Sequence, residues 1–394
     1  MRIGLISSGT SLDRIPPIYG GGIQKYLWSL ARALNNLGHE IHIFTNQQPQ
    51  QLTEEILDDI HIHRISQVLK AKPLATFVFG LNTAVKILKI QKEIGRFQIL
   101  HAQSRVSGLI IRYFLHHITF VFTAHNWDVA LTRPGELISP LSHAVLFLIE
   151  KLVYWQSNKI ISLTSFFQRV LSTRYHVPKP KIQIIPNMIN GPEDSENPLL
   201  MHPTIKKLIS KPFLLFVGRL EKEKGCEFLL NSFEDIINQN KTLNLIIVGT
   251  GSLKSTLKKM AAALPFKNSI YILGTLHEIQ LKFLLSAARL LLLPSQFEIM
   301  PTIILEAWTA KCPVIVNAYQ GVETLIRDRK TGLVFQRNNE LQLSTLIKEL
   351  LINKNMRQEI IQNSLTQLQT KYTSSVVVQQ IFALYSKLLK RCTQ

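Results

Sequence analysis

Negative charge, cysteine and long apolar runs are all scarce in this chain. Its 394 residues carry 26 Asp and Glu against 45 Lys and Arg, a formal net charge of +19. The imbalance is shared between the halves: 20 basic and 10 acidic residues stand before position 191, and 25 and 16 after it. That spread argues against a dedicated basic arm or tail for nucleic acid. It fits a positive surface attracting anionic lipid head groups or phosphorylated substrates. The three cysteines, Cys226, Cys312 and Cys392, are far apart and odd in number, which argues against a disulfide framework or a cysteine metal cluster and favours a reducing compartment. The most lipid-like run, AVLFLIEKLVYW (144–155), is broken by Glu150 and Lys151 and is too short to span a bilayer. The opening MRIGLISSGT lacks the long apolar core of a signal peptide and reads as a strand. The expectation is a cytoplasmic protein that crosses no membrane.

With 46% hydrophobic and 18% charged residues, the chain is a well-buried globular protein, and its length predicts two domains rather than one core. Short β-branched runs alternate with helical patterns. Strands are expected at RIGLIS, EIHIFT (40–45), QILHAQ (98–103), TFVFTA (119–124), KIISLT (159–164) and IQIIP (182–186). The helical run IQKYLWSLARALNNLG stops at Gly38. The segment 190–207 collects Gly, Pro and acids without periodicity, as a linker does. The pattern then restarts at FLLFVG (213–218), LNLIIVG (243–249), SIYILG (269–274), RLLLLPS (289–295) and PVIVN (313–317). This predicts an α/β chain of two tandem, Rossmann-like, doubly wound domains with a cleft between them. The boundaries are 1–190, a linker at 191–211, 212–375, and a C-terminal helix at 376–394 packing back on the body. Ligands of such sheets sit beyond the carboxyl ends of the strands.

Several segments just past strands carry polar chemistry. Gly20, Gly21 and Gly22 precede a helix and let backbone amides approach an anion, although a plain flexible turn fits equally. In VGRLEKEKG, Arg219 and Lys224 can clamp a diphosphate, or pair on the surface with Glu221 or Glu223. Gly249, Gly251 and Gly274 end strands, and Gly321 lies in a loop beyond PVIVN. In FEIMPTIILEA (297–307), Glu298 and Glu306 flank a helix start at Pro301 within an otherwise apolar stretch. Two acids around free helix amides suit a ligand that has both hydroxyls and phosphate, such as a nucleotide sugar. His101 and His125 end strands of the first domain, where each is either a ligand to a hydroxyl or a satisfied core histidine.

In this order, GGGIQKYLWSLARALNNLGHEI, FVGRLEKEKG, LIIVGTGS, LLLPSQFEIMPTIILEAW and TGLVF resemble the retaining glycosyltransferases of family 4, with the two-domain GT-B fold. The resemblance covers nearly the whole chain. It implies that Arg219 and Lys224 hold the donor diphosphate, and that Glu298 bonds sugar hydroxyls with the backbone around Met300, Pro301 and Thr302. It implies ribose recognition by Glu306 and base recognition by the backbone of Gly274, Thr275 and Leu276. The Gly20–Gly22 loop would border diphosphate and acceptor, with Gly249 and Gly321 on the donor side, and His125 would reach the sugar from the opposite domain. It further implies hexosyl transfer from a UDP- or GDP-linked sugar to a glycan or lipid-linked acceptor, with no metal and no other cofactor. The chain departs from the family pattern at Asn187-Met188, Ile299, Lys311 and Thr324, which leaves a non-catalytic nucleotide-sugar or glycan-binding protein as an alternative. A dinucleotide-dependent oxidoreductase is the weaker alternative, because no GxGxxG turn follows a strand.

Overall fold

The computed structural model describes residues 1–7, 14–17, 21–66, 72–125, 139–190, 208–239 and 242–392. The chain divides into two compact units, Met1–Met188 with Ser374–Gln394, and Ile189–Thr373. Of the linker read at 191–211, residues 191–207 lie outside the described residues, as does Gly20.

The first unit is built on an eight-stranded sheet: β1 (Arg2–Ile6), β2 (Glu40–Asn46), β3 (Glu54–Leu57), β4 (Ile60–Ile65), β5 (Ile99–Ala102), β6 (Thr119–Ala124), β7 (Lys159–Ser162) and β8 (Ile182–Ile184). Its order is β3-β4-β2-β1-β5-β6-β7-β8. Ile3 of the central β1 pairs in register with Ile41 on one side and Ile99 on the other, both parallel. Strands covered on both faces must be apolar nearly throughout, and β1, β2, β5, β6 and β7 are buried at almost every position. The sequence reading leaves 53–66 without a strand, yet β3 and β4 form an antiparallel hairpin there. Asp58 and Asp59 turn it with φ of 52° and 60°, a left-handed conformation that Asp tolerates better than most residues. Helices α1 (Gly22–Asn35), α2 (Lys72–Ile94), α3 (Arg105–Phe114), α4 (Pro140–Gln156) and α5 (Ser165–Arg174) connect these strands.

The second unit carries β9 (Phe213–Val217), β10 (Asn244–Val248), β11 (Ile270–Leu273), β12 (Leu290–Leu293), β13 (Val314–Asn317) and β14 (Leu333–Phe335), the last of which the sequence reading does not count as a strand. All neighbours are parallel, in the order β11-β10-β9-β12-β13-β14. This is the doubly wound arrangement, reversing direction between β9 and β12. The helices are α6 (Cys226–Gln239), α7 (Lys254–Ala263), α8 (Glu278–Ala287), α9 (Thr302–Thr309), α10 (Glu340–Ile352) and α11 (Lys354–Lys371). Leu214 and Phe216 of β9, Leu229 and Phe233 of α6, and Leu245 and Ile247 of β10 belong to one buried cluster.

The last helix, α12 (Ser374–Cys392), returns to the first unit and buries Val377, Ile381 and Tyr385 with Leu27 and Leu30 of α1. Tyr385 Oη lies 2.6 Å from His101 Nδ1, and the other ring nitrogen lies 2.6 Å from Thr123 Oγ1. His101 is therefore a satisfied core histidine; burial pushes its pKa down to about 3.

A second set of histidines crosses the sheet edge. Arg2 donates to Glu40 at 2.7 Å, and Glu40 lies 3.1 Å from His42 Nε2. His42 Nδ1 is 2.9 Å from His63 Nε2, and His63 bonds Glu54, which pairs with Lys86. Burial holds His42 down to about 4 and also lowers His63, in spite of the neighbouring acids. The unfolded chain takes up protons below the ordinary histidine pKa that these folded rings refuse. Their stabilisation is thus complete above pH 6.5 and falls as pH drops below it, for His42 down to about 4, by up to about 1.4 kcal/mol per pH unit for each ring. Urea unfolding of the double variant His42→Gln/His63→Gln is expected to show a shallower fall in unfolding free energy between pH 6.5 and 5 than the parent.

Candidate active site

The reversal of strand order sets the carboxyl ends of β9 and β12 side by side and sends their following segments apart. After β9 the chain runs through Gly218 and Arg219 into a 3-10 turn, Lys222–Lys224, and then α6. Gly225 joins turn and helix with φ 72°, and a Cβ there would stand 2.4 Å from the carbonyl oxygen of Pro294, just past β12. Only glycine lets these backbones approach so closely. Two bonds stitch the loops together: Gln296 N–H donates to Glu223 O at 2.8 Å, and Lys224 Nζ donates to Glu298 Oε1 at 2.6 Å. Both side chains of the Lys224–Glu298 pair are largely enclosed.

The loop after β10 joins them. Gly249 (φ 149°) lies so near β9 that a Cβ would stand 1.8 Å from Gly218 O. Leu220 N–H donates to Thr250 O, and Leu253 N–H to Leu220 O, each at 2.9 Å. Glu221 accepts from both the amide and the hydroxyl of Ser252, the amide at 3.0 Å, and these bonds lower its pKa.

The structure brings Lys224 and Glu298 into contact, while Arg219 is 68% exposed and pairs with Glu223 at 2.8 Å. Between the two acids of the sequence motif, Ile299 and Met300 are buried and Pro301 caps α9. Ile304, Leu305, Ala307 and Trp308 of α9 are fully buried, whereas Thr302 and Glu306 lie one turn apart on its partly exposed stripe. Glu306 is thus not a core acid. An ammonium carries three donors, of which Glu298 takes one. A cation, a carboxylate, the first-turn amides of α9 and a second acid one turn on can together hold a phosphate beside hydroxyls.

Two residues absent from the sequence reading complete this end of the sheet. Tyr319, past β13, is buried; burial, then the charges of Glu298 and Glu323, push its hydroxyl well above the ordinary range, so it remains a donor. Asn317 donates from Nδ2 to Ser295 O at 3.0 Å and fixes the β12 loop. Their only sequence signal is position at the end of PVIVN, for Asn317, and just beyond it, for Tyr319.

The remaining residues stand as follows. Gly321 (φ 93°) caps a 3-10 turn, Val322–Thr324, and accepts from Thr324 Oγ1 at 2.6 Å, so Thr324 closes its own loop. Lys311 adopts φ 58° directly after α9, the left-handed position that glycine favours, and its amide donates to Trp308 O at 3.0 Å. Gly274, Thr275 and Leu276 follow the edge strand β11, with Lys254 Nζ 3.7 Å from where a Gly274 Cβ would lie. In the first unit, Gly21 and Gly22 begin α1, which has no acid in its first turn. His125 follows β6; its Nε2 lies 2.6 Å from Gln103 Oε1, and Tyr26 meets the ring edge-on with centroids 4.6 Å apart. Burial pushes His125 down to about 3, so the ring is neutral, and with Nε2 donating to Gln103 its Nδ1 is an acceptor.

Known proteins share this fold. The chain is 23% identical over 377 residues to an uncharacterized glycosyltransferase of Methanocaldococcus jannaschii, covering 94% of this chain and 95% of that one. Its fold matches sucrose-phosphate synthase of Thermosynechococcus elongatus with a TM-score of 0.81 at 19% identity, over 99% of this chain and 100% of the other. Anabaena HepE in complex with UDP-glucose matches with a TM-score of 0.73 at 16% identity, over 98% and 100% of the two chains. The family Glycosyltransferase Family 4 matches residues 20–190, and Glycosyl transferases group 1 matches 203–367. Matched along both units, this chain belongs to the group 1 and family 4 glycosyltransferases.

Proposed function

We propose that the enzyme is a retaining hexosyltransferase that moves a sugar from a nucleoside diphosphate, UDP- or GDP-linked, to a glycan or lipid-linked acceptor. The observation that carries this reading is the enclosed Lys224–Glu298 pair at the β9/β12 reversal, beside the start of α9. The UDP-glucose held by the Anabaena neighbour supports the class of donor. Polysaccharide biosynthesis at the cell envelope is the setting proposed.

The reaction must stabilise negative charge on the departing diphosphate and positive charge on the sugar ring. Lys224 supplies a fixed cation, Arg219 a second on a side chain free to swing from Glu223, and the first-turn amides of α9 supply dipoles. Electrostatic stabilisation of this kind is usually the largest single contribution to catalysis. Glu298 orients Lys224 and accepts from a sugar hydroxyl, and Glu306 accepts from ribose hydroxyls. The glycine turns at Gly21–Gly22, Gly249, Gly274 and Gly321 allow close backbone approach. His125, held neutral, exchanges hydrogen bonds with a hydroxyl without adding charge. The bond from the anomeric carbon to the diphosphate oxygen breaks, the acceptor oxygen bonds the same face, and its proton passes to the departing phosphate. These cations do the work that a divalent ion would otherwise do, so the reading includes no metal and no cofactor. No described helix is long and apolar enough to cross a membrane. We propose peripheral contact with an anionic bilayer at the cytoplasmic face, where a lipid-linked acceptor resides. The departures at Ile299, Lys311 and Thr324 have structural roles and give no reason to expect lost catalysis.

Release of nucleoside diphosphate from a panel of UDP- and GDP-sugars tests the reading. Lys224→Met is expected to lower kcat at least about 100-fold, while Glu306→Gln acts mainly by raising donor KM. The anomeric proton coupling of the product should match that of the donor, and a chelator should leave turnover unchanged; inversion or chelator sensitivity would refute those parts. Gly249→Ala forces a Cβ into the Gly218 carbonyl and is expected to cost about 2 kcal/mol in urea unfolding.

A further inference from the structure

Helix α4 buries Val153 and Tyr154 and yet is apolar on its exposed side as well. Its one acid, Glu150, is 1% exposed and bonds Arg105 and the hydroxyl of Tyr175, all within the first unit. Its exposed face is instead Leu141 (76%), Val145, Leu148 (55%), Leu152 and Trp155 (47%), at spacings of four, three, four and three residues. A surface helix ordinarily turns such a stripe to the core. The indole N–H of Trp155 donates to Tyr175 O at 3.0 Å, which leaves the ring's apolar body outward.

Cations frame the stripe. Lys151 stands one turn from both Leu148 and Trp155. Arg112 of α3 donates to Gln156 O at 3.0 Å, and Lys181 donates to Trp155 O, so two positive side chains sit on the last turn of α4. They are close enough that Arg112 helps to lower the pKa of Lys181, after burial. The wider segment is equally one-sided. Residues 94–190 hold ten Lys and Arg against three Asp and Glu, whereas residues 1–93 hold ten against seven. The charge excess that looks even between the halves is therefore uneven within the first.

We infer that α4 is a membrane-docking helix, lying in the interface of an anionic bilayer with its leucines at the acyl boundary and Lys151, Arg112 and Lys181 among the lipid phosphates. The inference deepens the proposal of peripheral membrane contact and rests on it. Turning Glu150 inward removes from the helix the one charge that anionic head groups would repel, and interfacial helices combine an apolar face with flanking cations in this way. A second copy of the chain fits less well. Paired face to face about a two-fold axis, these stripes would bring their own cations together on two bodies of +19 each.

Co-sedimentation of the full chain with phosphatidylcholine vesicles containing about 30 mol% phosphatidylglycerol tests this against pure phosphatidylcholine. The parent is expected to bind only the anionic vesicles, and Leu148→Gln/Leu152→Gln to reduce the bound fraction's partition coefficient at least about tenfold. Trp155 emission should shift to the blue on anionic vesicles, a change that Trp155→Phe abolishes. Thermal unfolding and vesicle-free donor turnover serve as controls and should match the parent. Equal vesicle binding by parent and double variant overturns the α4 assignment while leaving membrane contact intact. No binding by the parent overturns both, and leaves transferase activity in solution standing. A vesicle-free dimer that the double variant dissolves identifies a second copy as the occupant and refutes the lipid assignment.

Discussion

One enclosed ion pair, Lys224 with Glu298, organises the second unit. Neither charge could be enclosed alone without a large desolvation cost, so each requires the other in place. Contact is made by residues 74 positions apart, because β9 and β12 are neighbours at the reversal of strand order. Gly225 and Gly249 exist as glycines to let the surrounding backbones close to within contact of Pro294 and Gly218. The sheet, the glycine turns and the pair are therefore one construction, in which chemistry sits where topology leaves an opening.

The first unit solves a different problem. His101, His42, His63 and His125 all carry depressed pKa values, with burial as the leading cause in each. Each has a hydrogen-bond partner: Tyr385 and Thr123, Glu40, Glu54, and Gln103 respectively. Neutral imidazole satisfies buried donors and acceptors without adding charge to an already basic protein. The same arrangement recruits α12 from the far end of the sequence, since Tyr385 supplies one of the partners of His101.

The run 144–155 shows what a local reading leaves open. Glu150 and Lys151 interrupt it in sequence, which rules out a span. In the folded helix Glu150 points inward to Arg105 and Tyr175, so the outward stripe is uninterrupted. The sequence displays the charge but not its direction. A helical phase set by packing against α3 and Tyr175 decides which face meets solvent.

Much of the architecture was legible residue by residue. Doubly buried parallel strands need nearly uninterrupted apolar residues, so runs such as TFVFTA and LNLIIVG stand out, and eleven of the strands are read in this way or from their place in the alternation with helices. The hairpin at β3 and β4 escaped because Glu55 and His61 give it a mixed, edge-strand composition, and β14 because three residues make no periodicity. Family membership was likewise readable, since motif residues follow strand ends in a characteristic order. What sequence alone determined is which residue types were at hand: Lys224, Glu298, Glu306 and the glycines between them. Only the tertiary structure decided that Lys224 meets Glu298 while Arg219 faces solvent, that Tyr319 and Asn317 back the site, and that α4 shows its leucines. Those outcomes depend on contacts between distant segments and on helical phase, neither of which any local pattern encodes.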